Sequence, residues 1–254
     1  MEAHIQEWLS LLLRWAHFVT GVAWIGGSFY FNWLENHLER SQKAENIAGD
    51  LWAIHGGGFY YLKKFKLAPD QLPATLHWFK WEAYATWLTG FALLCVTYYL
   101  NAKLYLLDAG GTVITEPLAI FLGFSSLVIS WIFYDLLCRS PVAQNNTKLS
   151  LVLLAWFVFL AWGLDQFFNG RAAFIHVGAA IGTIMVANVF RVIIPSQREL
   201  VNAVKANRIP DSSKGAQALQ RSRHNNYFTL PVLFIMISSH YPGTYGNDLN
   251  WLIL

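Results

Sequence analysis

The strongest constraint on this chain is a set of long apolar runs. Five of them, Leu9–Trp33, Trp81–Leu100, Leu118–Cys138, Leu149–Phe168 and Ala172–Pro195, are each long enough to cross a bilayer. A helical span takes roughly 20 apolar residues to cover ~30 Å of hydrocarbon. No water reaches the backbone there, so each run must close its own hydrogen bonds as a helix. Tyr227–Ser238 is shorter, but taken back through Asn225 and Asn226 and on to His240 it makes a sixth, and a seventh begins at Leu249. The expected fold is an all-α integral membrane protein, a bundle of six or more transmembrane helices. Composition agrees: 13% of residues are charged and 55% hydrophobic, against a charged share of about 25% in soluble domains. This excludes a disordered chain, a coiled coil, a disulfide scaffold and a nucleic-acid-binding domain. Cys95 and Cys138 belong to no CxxC or CxxCH pattern, so they support neither zinc nor covalent heme.

The basic residues set an orientation. On the side that holds the N-terminus, the segments between runs carry only Lys103 and Arg171. The opposite side carries fourteen, mostly in Leu34–Lys80 (Arg40, Lys43, Lys63, Lys64, Lys66, Lys80) and Ser196–Asn226 (Arg198, Lys205, Arg208, Lys214, Arg221, Arg223). That bias predicts a multi-pass protein with its N-terminus outside and the basic side in the cytoplasm. Arg14 and Arg191 lie within runs. Glu2 and Glu7 replace the basic start of a signal peptide, so the first run is expected to remain as a span.

Residues 34–80 form a cytoplasmic insertion too long for a plain connector. Leu51–His55 and Phe59–Phe65 are strand-like around Gly56-Gly57-Gly58, which predicts a small β-hairpin with a glycine turn. A phosphate-cradling loop is the weaker reading, because the Lys and Ser/Thr of a P-loop are missing. Ser196–Ser222 is expected to be a cytoplasmic loop with some helix, near anionic headgroups.

Ionisable residues inside spans point to function. In the first run Arg14 and His17 share a face with Gly21, Trp24 and Ser28. In the fifth, His176 shares one with Ala180, Thr183 and Ala187, amid the small residues Gly178, Ala179 and Gly182. A groove of small residues with an imidazole suits a planar macrocycle, and it equally suits tight helix packing. By helical rise, His17 lies about 12 Å and His176 about 6 Å from the outer ends of their runs. His240 ends the sixth run and is an alternative second ligand. Arg14 and Arg171 stand further out, where the propionates of a heme b would need cations. On the basic side, His77, Lys80 and Glu82 open the second run, and His224, Asn225 and Asn226 open the sixth. Interfacial anchoring explains Lys80 and Trp81. Amides, imidazoles and a lysine together also suit a planar, anionic, hydrogen-bonding heterocycle.

Three strings carry a resemblance. They are Arg14-Trp15-Ala16-His17 with Gly21-Val22-Ala23-Trp24-Ile25-Gly26, Leu76-His77-Trp78-Phe79-Lys80-Trp81-Glu82, and Arg221-Ser222-Arg223-His224-Asn225-Asn226-Tyr227. Gly56-Gly57-Gly58-Phe59-Tyr60 and Phe168-Asn169-Gly170-Arg171 through His176 to Met185 add to them. Over nearly its whole length the chain resembles the N-terminal membrane domain of the bacterial membrane-bound, cytochrome c-linked urate oxidases (urate hydroxylases). The first run also resembles that of heme-b membrane protoporphyrinogen oxidases. The resemblance implies oxidation of urate toward 5-hydroxyisourate in purine catabolism, in the bacterial inner membrane. Electrons would pass to cytochrome c, and a C-terminal cytochrome c domain is expected beyond further spans, although no CxxCH occurs in this chain.

On that reading urate meets His77, Lys80, Asn225 and Asn226, and Glu82 or His224 acts as general base. A heme b on His17 and His176, with Arg14 and Arg171 at its propionates, would lead electrons outward. An outer catalytic set of Asp165, Gln166, Asn169 and Arg171 stays open. So does a non-catalytic role, as a purine transporter or heme-binding subunit.

Overall fold

The computed structural model describes residues 2–41, 46–108, 114–247 and 249–253. Lys43, Leu254 and residues 109–113 of the loop after the second run lie outside the described residues. In order, the elements are α1 (Glu2–His37), β1 (Ile47–His55), β2 (Gly58–Phe65), α2 (Trp81–Leu94), α3 (Ala102–Tyr105) and α4 (Glu116–Arg139). There follow α5 (Asn146–Asp165), α6 (Gly170–Asn188), α7 (Ile194–Lys205), α8 (Ser212–Ser238), α9 (Pro242–Tyr245) and α10 (Asn250–Ile253). Two π-helical turns, Cys95–Tyr99 and Val189–Ile193, extend α2 and join α6 to α7.

Among the described residues four helical segments are long and apolar enough to cross a membrane: His4–His37, Glu116–Arg139, Asn146–Asp165 and Gly170–Lys205. The protein is therefore a mostly helical, membrane-associated chain with a small antiparallel sheet. The second and sixth runs are helical but fall outside these four. The second opens on Trp81, Glu82 and Tyr84, and the first half of α8 is polar. The polar stretch after Pro195, expected as a loop with some helix, is helical over much of its length. Pro195 does not stop the helix: it falls just past the π turn Val189–Ile193, where the α-type hydrogen-bond ladder is already interrupted. The rod therefore runs on to Lys205, and α8 starts at Ser212, well before the expected sixth span. Side chains close the helix starts: Asn145 Oδ1 accepts from Lys148 N (3.0 Å), Asn169 Oδ1 from Ala172 N (2.9 Å) and Asp211 Oδ1 from Ser213 N (2.8 Å).

The chain divides into two compact units. One comprises Met1–Thr20, Tyr84–Ala187 and Tyr227–Leu254, the other Gly21–Ala83 and Asn188–Asn226. The first unit holds a core of Tyr134, Cys138, Leu149, Leu153 and Ile184, with Phe157 and Phe228 packed on it. Its helices are also tied by side-chain hydrogen bonds, Trp87 Nε1 to Thr183 Oγ1 at 3.0 Å and Trp156 Nε1 to Ser130 Oγ at 3.2 Å. Such bonds hold helices where lipid tails are as apolar as the side chains. Gly178 lets α6 meet α8 closely, since a Cβ there would lie 2.8 Å from Ile235 Cγ2.

In the second unit β1 and β2 form the expected hairpin. Gly56 and Gly57 have φ of +57° and +80°, and His55 pairs with Gly58. A two-residue turn with both φ positive is type I′, whose twist matches the strands and favours glycine. The hairpin root is tied to the end of α1. Glu39 and Asp50 exchange backbone hydrogen bonds at 2.8 and 3.1 Å, and Glu35 pairs with Lys64 and Arg40. Tyr61 donates its hydroxyl to the Asp50 carboxylate, and that bond pushes the phenol pKa above its ordinary value.

The turn makes a prediction. Gly57→Val forces a β-branched residue to positive φ and should cost about 1–3 kcal/mol locally. Gly58→Ala should be tolerated, since its nearest neighbours stand at 3.9 Å. Limited proteolysis within residues 46–66 should accelerate in the first variant and not in the second.

Candidate functional site

The polar groups of the second unit converge on one amide. Because α8 starts at Ser212, Arg221, His224 and Asn225 stand at i, i+3 and i+4 on a single face. All three are buried, as is Asn188, the last residue of α6, whose exposure is 0%. Asn188 Nδ2 donates to Asn225 Oδ1 at 2.9 Å, while Arg221 Nη1 donates to Asn188 Oδ1 at 3.3 Å. One side-chain amide thus uses its donor and its acceptor at once, and it holds a guanidinium in place. The Arg221 charge also acts on the neighbouring His224 imidazole. Asn226 falls off this face and is half-buried. A cation and amides fixed this way can bind a planar anion edge-on, with hydrogen bonds in both directions.

Glu82 and His77 form a second, looser group in the same unit. His77 Nε2 lies 4.0 Å from Glu82 Oε1, and the glutamate side chain is 30% exposed against 67% for the histidine. Lys80 Nζ stands over the Trp81 ring, 5.4 Å from its centroid, which is the geometry of an interfacial anchor. An open cavity of about 200 Å³ lies between the 72–78 segment and α7, lined by Leu72, Leu76, Trp78, Val201 and Lys205.

In the first unit the structure places the two candidate ligand imidazoles. His17 Nδ1 meets the Thr86 carbonyl at 2.9 Å, and His176 Nδ1 meets the Ala172 carbonyl at 2.8 Å. A carbonyl can only accept, so Nδ1 carries the proton in both rings and Nε2 carries the lone pair. That tautomer is the one a metal ligand needs. The placement, however, does not suit one iron. On the second run His17 rests against Gly90 and His176 against Tyr99. Those contacts are nine residues apart in sequence, roughly 13 Å of helical rise. His176 Nε2 already accepts the Tyr99 hydroxyl at 3.1 Å. It also faces Gly123 so closely that a Cβ there would lie at 2.7 Å. As placed, His17 and His176 do not fit a shared heme b. His240 is exposed at the end of α8.

Arg14, Arg171 and Tyr245 all lie within electrostatic reach of the Tyr98 hydroxyl. Arg171 Nε is buried and, among the described residues, has no hydrogen-bond partner. The outer catalytic alternative is largely engaged in structural bonds. Asp165 Oδ1 accepts from Asn250 at 2.6 Å, Gln166 donates to the Trp162 carbonyl at 3.1 Å, and Asn169 caps α6.

Three participants lay outside the candidate residues named from the sequence: Asn188 and Arg221 as site residues, and Tyr99 as the partner of His176. The i, i+4 spacing of Arg221 and Asn225 was available, but a helix taken to begin at Asn225 leaves Arg221 in a loop. For Tyr99 no signal existed, because its aim depends on the π turn Cys95–Tyr99.

Fold and site together define a helical, membrane-associated protein whose second unit holds a buried guanidinium–amide cluster. The family can be given as well. Residues 3–254 match the family model described as Urate oxidase N-terminal, and the chain belongs to that family. Comparison with curated proteins and with solved structures returns no match.

The glycine contacts give a stability test. Gly123→Ala drives a methyl into the buried His176 and should cost about 1–3 kcal/mol by overpacking. Gly182→Ala has nothing within 4 Å of its new methyl and should leave thermal stability unchanged or slightly raised. Thermal unfolding in one detergent compares the two.

Proposed function

We propose that this chain is the membrane domain of a urate-oxidising enzyme that passes electrons to cytochrome c. The observation that carries the reading is the Asn188–Asn225–Arg221 cluster in a chain of the urate oxidase N-terminal family. In this reading the chain is a multi-pass protein of six or more spans in the bacterial inner membrane, its N-terminus outside and its basic segments in the cytoplasm. A C-terminal cytochrome c domain, fused or separate, receives the electrons.

Urate enters from the cytoplasm, past Trp78 and Lys205 at the mouth of the open cavity. Asn225, Asn226, His77 and Lys80 bind its carbonyl and N–H edges. Arg221 balances its negative charge, and Asn188 keeps that guanidinium aimed. Glu82 or His224 takes the proton that urate loses as its electrons leave. The reaction balances as urate plus water giving 5-hydroxyisourate, two protons and two electrons, the electrons passing singly to ferric c-type heme. No step here is assigned to a heme b. On the outer side Arg14 and Arg171 supply positive charge for an anionic group.

Urate loss by the purified protein with added ferric cytochrome c tests the reading. Glu82→Gln and His224→Gln should expose the base, one of them lowering turnover by about 10²-fold or more. Asn225→Leu should raise KM. Asp165→Asn should leave turnover near that of the unmodified chain. Normal turnover in both base variants, with loss in Asp165→Asn, moves catalysis to the outer side. Urate uptake into proteoliposomes without consumption replaces the enzyme by a transporter.

A further inference from the structure

The β-hairpin presents a face that the site does not use. Register pairs Trp52 with Tyr61 and Ile54 with Phe59, which puts these four side chains on one face of the two-stranded sheet. They are 69%, 41%, 69% and 79% exposed. Trp52 and Tyr61 stack at 4.6 Å, so the face is ordered as well as apolar. Lys63 stands over the Tyr61 ring at 5.2 Å from its centroid, and Lys66 is exposed just beyond β2. Aromatic rings backed by lysines are the side chains that settle at a bilayer's polar–apolar boundary.

The hairpin's position selects that occupant. Its root is fixed to the C-terminal end of α1, a helix able to cross a membrane, by the Glu39–Asp50 bridge and the Glu35–Lys64 ion pair. From Asp50 to the turn is five residues, roughly 17 Å at strand rise. The whole apolar face therefore lies within reach of the leaflet where α1 ends. Asp50 is buried and engaged by Tyr61, so the lysines dominate the outward charge. We infer that the hairpin lays its Trp52–Ile54–Phe59–Tyr61 face into the headgroup boundary of that leaflet, with Lys63 and Lys66 against lipid phosphates. It is an anchor that fixes the α1 end at the bilayer surface.

Adjacent residues on opposite faces test this. Phe59→Cys and Tyr60→Cys, each in the full chain, are spin-labelled and reconstituted into vesicles of phosphatidylcholine and phosphatidylglycerol. The label at Phe59 should be several-fold less accessible to a water-soluble nickel chelate than the label at Tyr60, and more accessible to oxygen. Lys63→Gln with Lys66→Gln should narrow that difference. Equal nickel accessibility at the two positions overturns the inference. So does shielding at Phe59 in dilute detergent with spin–spin broadening, which would make the face a contact between two copies of the chain.

Discussion

A bilayer interior offers no solvent to a polar atom, so whatever polarity the helices carry inward has to be answered by the chain itself. Asn188 is where this demand is most concentrated. It is fully buried at the end of α6, and its amide answers Asn225 and Arg221 together. Loss of that one amide would take an acceptor from a buried guanidinium, and weakening the pairing of a buried charge is costly. The cluster is thus a structural element as well as a candidate binding site. Its geometry is set before any ligand arrives, which favours tight, oriented recognition.

The imidazoles of the first unit follow the same rule by another route. Each ties Nδ1 to a carbonyl, and each lies against a glycine, Gly90 for His17 and Gly123 for His176. The glycine removes the side chain that would hold the two helices apart. What differs is the second nitrogen. His176 gives its lone pair to Tyr99 and is sealed among Tyr98, Tyr99 and Phe168. That enclosure makes His176 a packing centre of unit one.

Much of this architecture could be read beforehand. Four of the five long apolar runs return as helices able to cross a membrane, since run length and self-satisfied backbone leave little choice. The hairpin was equally readable, because two glycines between alternating strands specify a two-residue turn. The extent of helix after Pro195 was not. Composition alone marks the stretch as polar, and whether a proline breaks a helix depends on the turn in which it falls. Among the candidate residues, Asn225, singled out for its amide, meets Asn188, while Lys80 rests on Trp81 as an anchor would. Partners that depend on three-dimensional approach, such as Gly123 for His176, carry no linear mark.

The two π turns have a consequence for how such a chain can change. Cys95–Tyr99 forms the C-terminal end of its helix, and Val189–Ile193 immediately follows Asn188. Each is in effect one residue more than an α-helix would hold in the same length. The facing of Tyr98 and Tyr99 toward His176, and of α7 relative to Asn188, is then governed by a count of residues rather than by their identity. Relatives that keep every polar side chain but differ by one residue in either turn would present a different surface to the same helices. Insertion and deletion, more than substitution, are the changes to which this scaffold is most sensitive.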